Sequence, residues 1–539
     1  VGELVEPSAR SAPPPTSSGG GSSERRVVTV LFCDVTGSTA MAETLDPEVW
    51  TEIMNEAFEQ LIEAVERYEG TVGQLTGDGL LAFFGAPTAH EDDPERAVLA
   101  GLAMLQNIEP LCERLQREQG LDFDIRVGIN TGLVVVGDVG SDRYQEFTAM
   151  GDTVNLAARM EQSAKPGTVQ VSGSTYLRIA PLFEVEALGE VTVKGKREPV
   201  QAFGVLGKKA EPGRLRGIAG LDAPMVGRDA EMHALRGAII KLRQGEGKIV
   251  SVIGDAGLGK SRLLAELRAA PTPLPEVKSP VRWLEGRSLS YETATPYASI
   301  VRLLNDYFAL DENGKDEEKL AQIKANLDRF MPQQTLMTAP YLAALLGIRL
   351  AGEDAERVRY LSPPQLRART SQAVLALIEQ LAAQQPLVLI VDDLHWADSA
   401  SLDLLQALLP LSERAPLMIV ALFRPDKEAP SWPYHEKTAE MYGERYLAVT
   451  LHPLAEEASR EIATSLLRVE DLPEMARSLI MARADGNPFY VEEIIRTLLE
   501  TDLLTWEDEG WRTAQGSETF AVPDTLAGII TARLDRLDS

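Results

Sequence analysis

Unbroken apolar runs alternate along this chain with stretches whose apolar positions recur every three or four residues. The runs predict buried strands, and the stretches predict amphipathic helices. VVTVLFCDV, residues 27–35, is the first such run. PEVWTEIMNEAFEQLIEAVERY has helical spacing from Pro47 and stops at Gly70. Two short apolar runs then flank Gly77-Asp78-Gly79, a hairpin signal. Asp92 to Gln119 reads as a helix stopped by Gly120. Strands IRVGIN and LVVVGDVG, helix TVNLAARMEQ, and strands near VQVSG and VTVKG complete a unit by about Leu206. Strands alternating with helices in this way imply an α+β or α/β sandwich.

The pattern then breaks at GKKAEPGRLRGIAGLDAP, a linker composition, and resumes at MVGRDAEMHAL. Strand KIVSVIG, a helix from Lys260, a long helical middle, and strands LVLIVDD and LMIVALF follow. Beyond about residue 450 the period is helical. The expected organisation is a disordered tail (1–23), an α+β domain (24–206), a linker (207–223), an α/β domain (224–449) and an all-helical subdomain (450–539). The tail is rich in Pro, Ser and Gly and has too little apolar surface to order itself.

A length of 539 residues exceeds what one core can hold. The net charge of −28 argues against nucleic acid as a partner, because that surface needs a basic footprint. No apolar run reaches the ~18 residues of a membrane span. Cys33 and Cys112 fit neither a disulfide framework nor a zinc pattern, so a reducing, cytoplasmic compartment is expected. The chain starts at Val1 and stops at Ser539 straight after a helical pattern, so a piece of a longer protein is expected.

Within the first unit, Asp34 closes a strand and Asp78 sits at the hairpin tip. Two such carboxylates, with a backbone carbonyl such as that of Val35, suit Mg²⁺. Singly, each has an ordinary reading: one ends a strand, the other suits an Asp-Gly turn. Asn155 and Arg159 are four apart and share a helix face. Together they can brace a ribose and a phosphoryl group, although alone they read as an ordinary exposed face.

FCDVTGST, LTGDGLLAFFG, IRVGINTG, FTAMGDTVNLAARM and VTVKGK stand in the order and approximate spacing of class III nucleotidyl cyclases. Residues 27–206 resemble one whole catalytic domain of that family, a ferredoxin-like α+β fold, and look closest to its bacterial and soluble-adenylyl-cyclase-like branch. The resemblance implies that Asp34 and Asp78 bind two Mg²⁺ or Mn²⁺ ions. It implies that Asn155 orients the ribose, Arg159 stabilises the transition state, and Arg126 and Lys194 hold the triphosphate. It also implies a head-to-tail homodimer, with metal-binding and transition-state residues coming from opposite partners.

Base choice falls to Gln74, where the family usually has Lys for adenine or Glu for guanine, and to Thr148, seven before Asn155. A Gln amide both donates and accepts. Gln74 can therefore serve adenine N1 with Thr148 taking the exocyclic amine, or accept from guanine N1–H. ATP is the favoured substrate.

In the second unit, Gly254-Asp255-Ala256-Gly257-Leu258-Gly259-Lys260-Ser261 fits the P-loop pattern, with a strand before it and a helix after it. Its backbone N–H groups would wrap phosphates at a helix N-terminus, with Lys260 on the β/γ-phosphates and Ser261 on Mg²⁺ of bound ATP. In LVLIVDDLHWAD, Asp392 would serve Mg²⁺ and Asp393 the attacking water. Paired carboxylates after a buried strand call for a positive group nearby. This constellation, with VGRDAEM, LMIVALFR and GNPFYVEE, resembles the STAND branch of AAA-like ATPases. That likeness implies a base pocket at Val226, Gly227 and Arg228, a γ-phosphate sensor at Arg424 and a nucleotide contact at Pro488.

The expected protein is an adenylyl cyclase regulated by the NTPase, with the regulatory ligand or partner protein unidentified. The competing reading is a signalling switch whose cyclase-like domain only binds nucleotide or dimerises.

Overall fold

The computed structural model describes residues 24–88, 90, 92–141, 144–150, 152–191, 200–209, 225–269, 280–311, 314–467, 469, 474–500, 504–507 and 510–513. The expected tail and most of the expected linker lie outside them. The chain divides into two compact units, Val1–Lys208 and Lys209–Ser539.

The first unit runs β1 (Glu24–Val35), α1 (Ser38–Thr44), α2 (Pro47–Arg67), β2 (Thr71–Thr76), β3 (Gly79–Phe84), α3 (Asp93–Gln119), β4 (Ile125–Ser141), β5 (Tyr144–Met150), α4 (Asp152–Ser163), β6 (Val169–Ser172), α5 (Gly173–Ile179), β7 (Phe183–Val191) and β8 (Val200–Lys208). Its sheet has the order β2-β3-β1-β4-β6-β8-β7, with β5 paired to β4. All ladders are antiparallel except β4 with β6. Asp46 caps α2 by accepting from the Glu48 N–H, and Gly120 ends α3 in the left-handed region. IRVGIN and LVVVGDVG, expected as two strands, form one continuous β4.

Strand β4 also supports a helix. A Cβ on Gly128 would lie 1.9 Å from Glu161 N, and one on Gly132 would lie 2.7 Å from Thr153 Oγ1. The glycines of IRVGINTG thus let α4 rest directly on the sheet backbone.

The second unit runs α6 (Asp229–Arg243), β9 (Lys248–Ile253), α7 (Lys260–Ala269), β10 (Arg282–Arg287), α8 (Ala298–Phe308), α9 (Asp316–Asp328), α10 (Thr335–Leu345), α11 (Gly352–Arg359), α12 (Pro363–Gln384), β11 (Leu387–Asp392), α13 (Ser399–Leu408), β12 (Leu417–Phe423), α14 (Ser431–Tyr442), β13 (Tyr446–Thr450), α15 (Glu456–Leu467), α16 (Glu474–Arg483) and α17 (Pro488–Glu500), then a hairpin of β14 (Leu504–Glu507) and β15 (Gly510–Thr513). Five strands form a parallel sheet in the order β10-β11-β12-β9-β13. Strands β11 and β12 are buried throughout, and alternate residues supply two separate cores. Leu389, Ile419 and Phe423 face one, and Ile390, Val420 and Leu422 the other. Burial on both faces is why these strands read as unbroken apolar runs.

Helices α15–α17 share a further core with Leu454 and Leu504. The final hairpin adds a β element to the region expected to be helical. Among the described residues, no helix is long and apolar enough to cross a membrane.

Candidate active sites

In the first unit, strand register assembles a charged cluster. Asp34 is the cross-strand partner of Gly79 on β3 and of Arg126 on β4. Asp78 therefore arrives beside Asp34 from the turn preceding β3. The turn is tied down: Val35 N–H donates to Asp78 O at 3.1 Å, and the Ser38 hydroxyl donates to Asp78 Oδ2. Burial pushes the Asp34 carboxyl above its ordinary range, the Arg126 hydrogen bond pulls it back, and Asp78 pushes it up again, leaving it raised.

Arg126 is shared between two carboxylates. Its Nη2 donates to Asp34 Oδ2 at 2.9 Å. Its Nε lies 2.6 Å from Glu161 Oε1, an ion pair without hydrogen-bond alignment. Sequence reasoning missed Glu161. At 3.6 residues per turn it points roughly 200° away from Arg159, off the face of interest and toward the sheet. Burial raises the Glu161 carboxyl, Arg126 lowers it, and Asp34 and Asp78 raise it further, to about 7.

The other half of the expected constellation lies on α4. Asn155 is exposed on α4, and Arg159 Nη1 donates to Gln162 Oε1 at 2.7 Å. Among the described contacts, neither Asn155 nor Arg159 reaches Asp34 or Asp78. Gln74 is exposed on β2 beside a bulge in the β2–β3 ladder. Thr148 stands on β5 opposite Gly137, and its side chain, like all of Lys194, lies outside the described residues.

The donor set fits magnesium. Mg²⁺ takes one or two protein carboxylates and completes its shell with water and substrate phosphate. Asp34 and Asp78 provide that pair. Among the described residues no group of three or more His, Cys, Asp or Glu gathers into a metal site.

In the second unit, the loop between β9 and α7 is wound tightly. Gly257 and Gly259 have φ of 79° and 87°, where a side chain is strained. Lys260 is buried, with Nζ donating to Gly254 O at 2.7 Å and to Asp255 O at 3.0 Å. Ser261 Oγ donates to Asp392 Oδ2 at 2.8 Å, so a hydroxyl and a carboxylate suited to Mg²⁺ already stand together.

The positive group expected beside the aspartate pair is Arg287, at the end of β10, whose Nε donates to Asp393 Oδ2 at 3.1 Å. Burial pushes Asp393 up, but Arg287, with Lys260 adding to it, pulls it below the usual carboxylate range. Burial and Asp393 hold Asp392 above that range. Asp398, the last aspartate of the stretch, caps α13 by accepting from Ser401 N–H.

Arg228 is buried and donates to Leu258 O at 3.3 Å and to Glu231 Oε1 at 3.2 Å. Gly227 precedes it at φ 69°. Arg424 follows β12, half-buried. In GNPFYVEE, Asn487 makes the loop contact: its Nδ2 donates to Ala256 O at 2.9 Å, while Pro488 begins α17. Buried side-chain amides usually find backbone partners, and Asn487 does so on the P-loop itself.

Comparisons with known proteins identify the domains that contain these residues. Residues 22–207 match the profile of the adenylate and guanylate cyclase catalytic domain, and residues 224–420 that of an AAA ATPase domain. Residues 455–512 match a domain of unknown function. An uncharacterised protein of Rhizobium meliloti is 28% identical over 404 residues, covering 74% of this chain and 37% of that protein. Adenylate cyclase 1 of the same organism is 35% identical over 183 residues, covering 33% of this chain and 27% of the relative. The crystal structure of the adenylyl cyclase CyaB from P. aeruginosa is 33% identical, covers 35% of this chain and 97% of that one, and has a TM-score of 0.34.

Proposed function

We propose that this chain, which joins a class III adenylate/guanylate cyclase catalytic domain to an AAA ATPase domain, converts ATP to 3′,5′-cyclic AMP and pyrophosphate under the control of its ATPase. The observation that carries this reading is the convergence of Asp34, Asp78 and Arg126 at adjoining strand ends, with Asn155 exposed on α4 and Arg159 one turn further along the same helix.

The ribose 3′-oxygen attacks the α-phosphorus, forming the O–P bond of the ring as the bond to pyrophosphate breaks. Asp34 and Asp78 would hold Mg²⁺, which when bound would lower the pKa of the attacking hydroxyl and offset charge on the leaving group. Arg126 is the cation beside those carboxylates, placed for the triphosphate. Asn155 orients the ribose, and Arg159 meets the charge that develops on the α-phosphoryl group. As the match to the cyclase catalytic domain implies dimerisation, a complete site takes each half from a different chain of a homodimer. The second unit binds ATP with Mg²⁺ through Lys260, Ser261 and Asp392, hydrolyses it slowly and acts as a STAND-type switch on the cyclase.

The test is product identity. The protein is incubated with Mg²⁺ or Mn²⁺ and with ATP or GTP, and cyclic nucleotide and nucleoside diphosphate are assayed. Cyclic AMP is expected as the main cyclic product. Absence of any cyclic product with either metal would sink the proposal and leave the switch reading.

Base choice has its own test. Gln74 is exposed on β2 and offers an amide that both donates and accepts. A Lys there only donates, so Gln74→Lys should raise the ratio of kcat/KM for ATP over GTP by about tenfold, the effect of one charge-assisted hydrogen bond. An unchanged ratio would remove Gln74 as the base reader.

A further inference from the structure

The second unit contains a buried polar side chain that its fold leaves unused. His395 is 8% exposed, and neither ring nitrogen has a hydrogen-bond partner among the described residues. Leaving both nitrogens unpaired in the interior is costly, and an ordinary core histidine pairs at least one.

Its placement is specific. Strand β11 ends at Asp392, and Asp393 then turns the chain at φ 54°, a conformation few non-glycine residues adopt. The short turn Leu394–Trp396 that follows carries the imidazole inward. The charges acting on the ring are Asp393, Arg424, Lys260 and Asp426. The first three are residues of the candidate ATP site. The Trp396 ring, itself 37% exposed, lies at a 42° tilt with its centroid 5.0 Å from that of His395. Burial keeps the imidazole neutral at pH 7, so it has one donor and one acceptor nitrogen. A terminal phosphate oxygen accepts.

We propose that His395 belongs to this ATP site, one of its ring nitrogens donating to an oxygen of the terminal phosphate. The proposal rests on reading the second unit as an NTPase. ADP is the readout, because cyclisation releases pyrophosphate and forms none.

His395→Phe keeps an aromatic ring and removes both nitrogens. It is expected to lower kcat for ADP formation by about tenfold or more, the effect of one lost hydrogen bond, and to leave the inhibition constant of ADP unchanged. The melting temperature of the nucleotide-free protein should stay level or rise, because an apolar ring removes two unpaired polar atoms. Partial recovery in His395→Asn or His395→Gln would support the assignment and indicate which nitrogen matters. A His395→Phe protein with wild-type kcat would overturn it. So would one that loses ADP affinity and melting temperature together, the mark of a purely structural histidine. A wild-type protein that forms no ADP would overturn the NTPase reading, and this assignment with it.

Discussion

Asp34→Ala protein is expected to lose about 10³-fold in cyclase rate, Arg159→Ala protein about 10²–10³-fold, and a mixture of the two to recover activity. Asp34 is one of two carboxylates that the β1–β3–β4 register brings to a single edge, and it also anchors Arg126 at 2.9 Å. Its removal leaves the metal with one protein carboxylate and frees Arg126 to close on Glu161. A loss of about 4 kcal/mol of transition-state stabilisation, roughly 10³-fold in rate, follows from losing a metal ligand. Removing Arg159 takes away a donor to the developing phosphoryl charge, costing about 10²–10³-fold. The mixture contains dimers in which one of two sites has an intact Asp34 from one chain and an intact Arg159 from the other. Random pairing puts half of all dimers in that state, so about a quarter of wild-type turnover is the expected ceiling for catalysis at independent interface sites. If two folded, dimerising variants fail to complement, the shared-site arrangement is wrong.

Lys260→Ala is expected to abolish ADP formation while the cyclase chemistry survives. The Lys260 ammonium is buried between the Gly254 and Asp255 carbonyls, at the mouth of a loop whose backbone is wound to receive phosphate. Losing its charge-assisted contacts should weaken ATP binding by about 10–10²-fold. The melting temperature is measured alongside, because the substitution also unties the loop. Cyclic product persisting without ADP separates the two activities. Loss of cyclic product along with ADP would instead show that the cyclase requires an occupied NTPase. Full ADP formation by Lys260→Ala would remove the P-loop reading.

Much of both sites was legible before any coordinates. Asp34, Asp78 and the P-loop stand in short contiguous motifs whose strand–turn settings show as apolar runs broken by Gly and Asp. Partners supplied by distant segments were not legible. Glu161 lies off the helix face that carries Asn155 and Arg159. Arg287 ends a strand more than a hundred residues before Asp393, and nothing near it marks a nucleotide site. In GNPFYVEE the Asn487 amide donates to Ala256 O on the P-loop, a partnership between segments 231 residues apart.

What the sequence determined by itself was the two-part organisation and the family of each part. Local backbone demands write those into neighbouring residues: glycines where φ is positive, carboxylates at strand ends, an unbroken apolar run wherever a strand is buried on both faces. Only the tertiary structure decided which charges share a site. Strand register set Asp34 between Asp78 and Arg126, the packing of α4 on Gly128 brought Glu161 to Arg126, and the parallel sheet aligned Arg287 with Asp393. The physical reason is that electrostatic partnership depends on distance through space, whereas a motif records only distance along the chain.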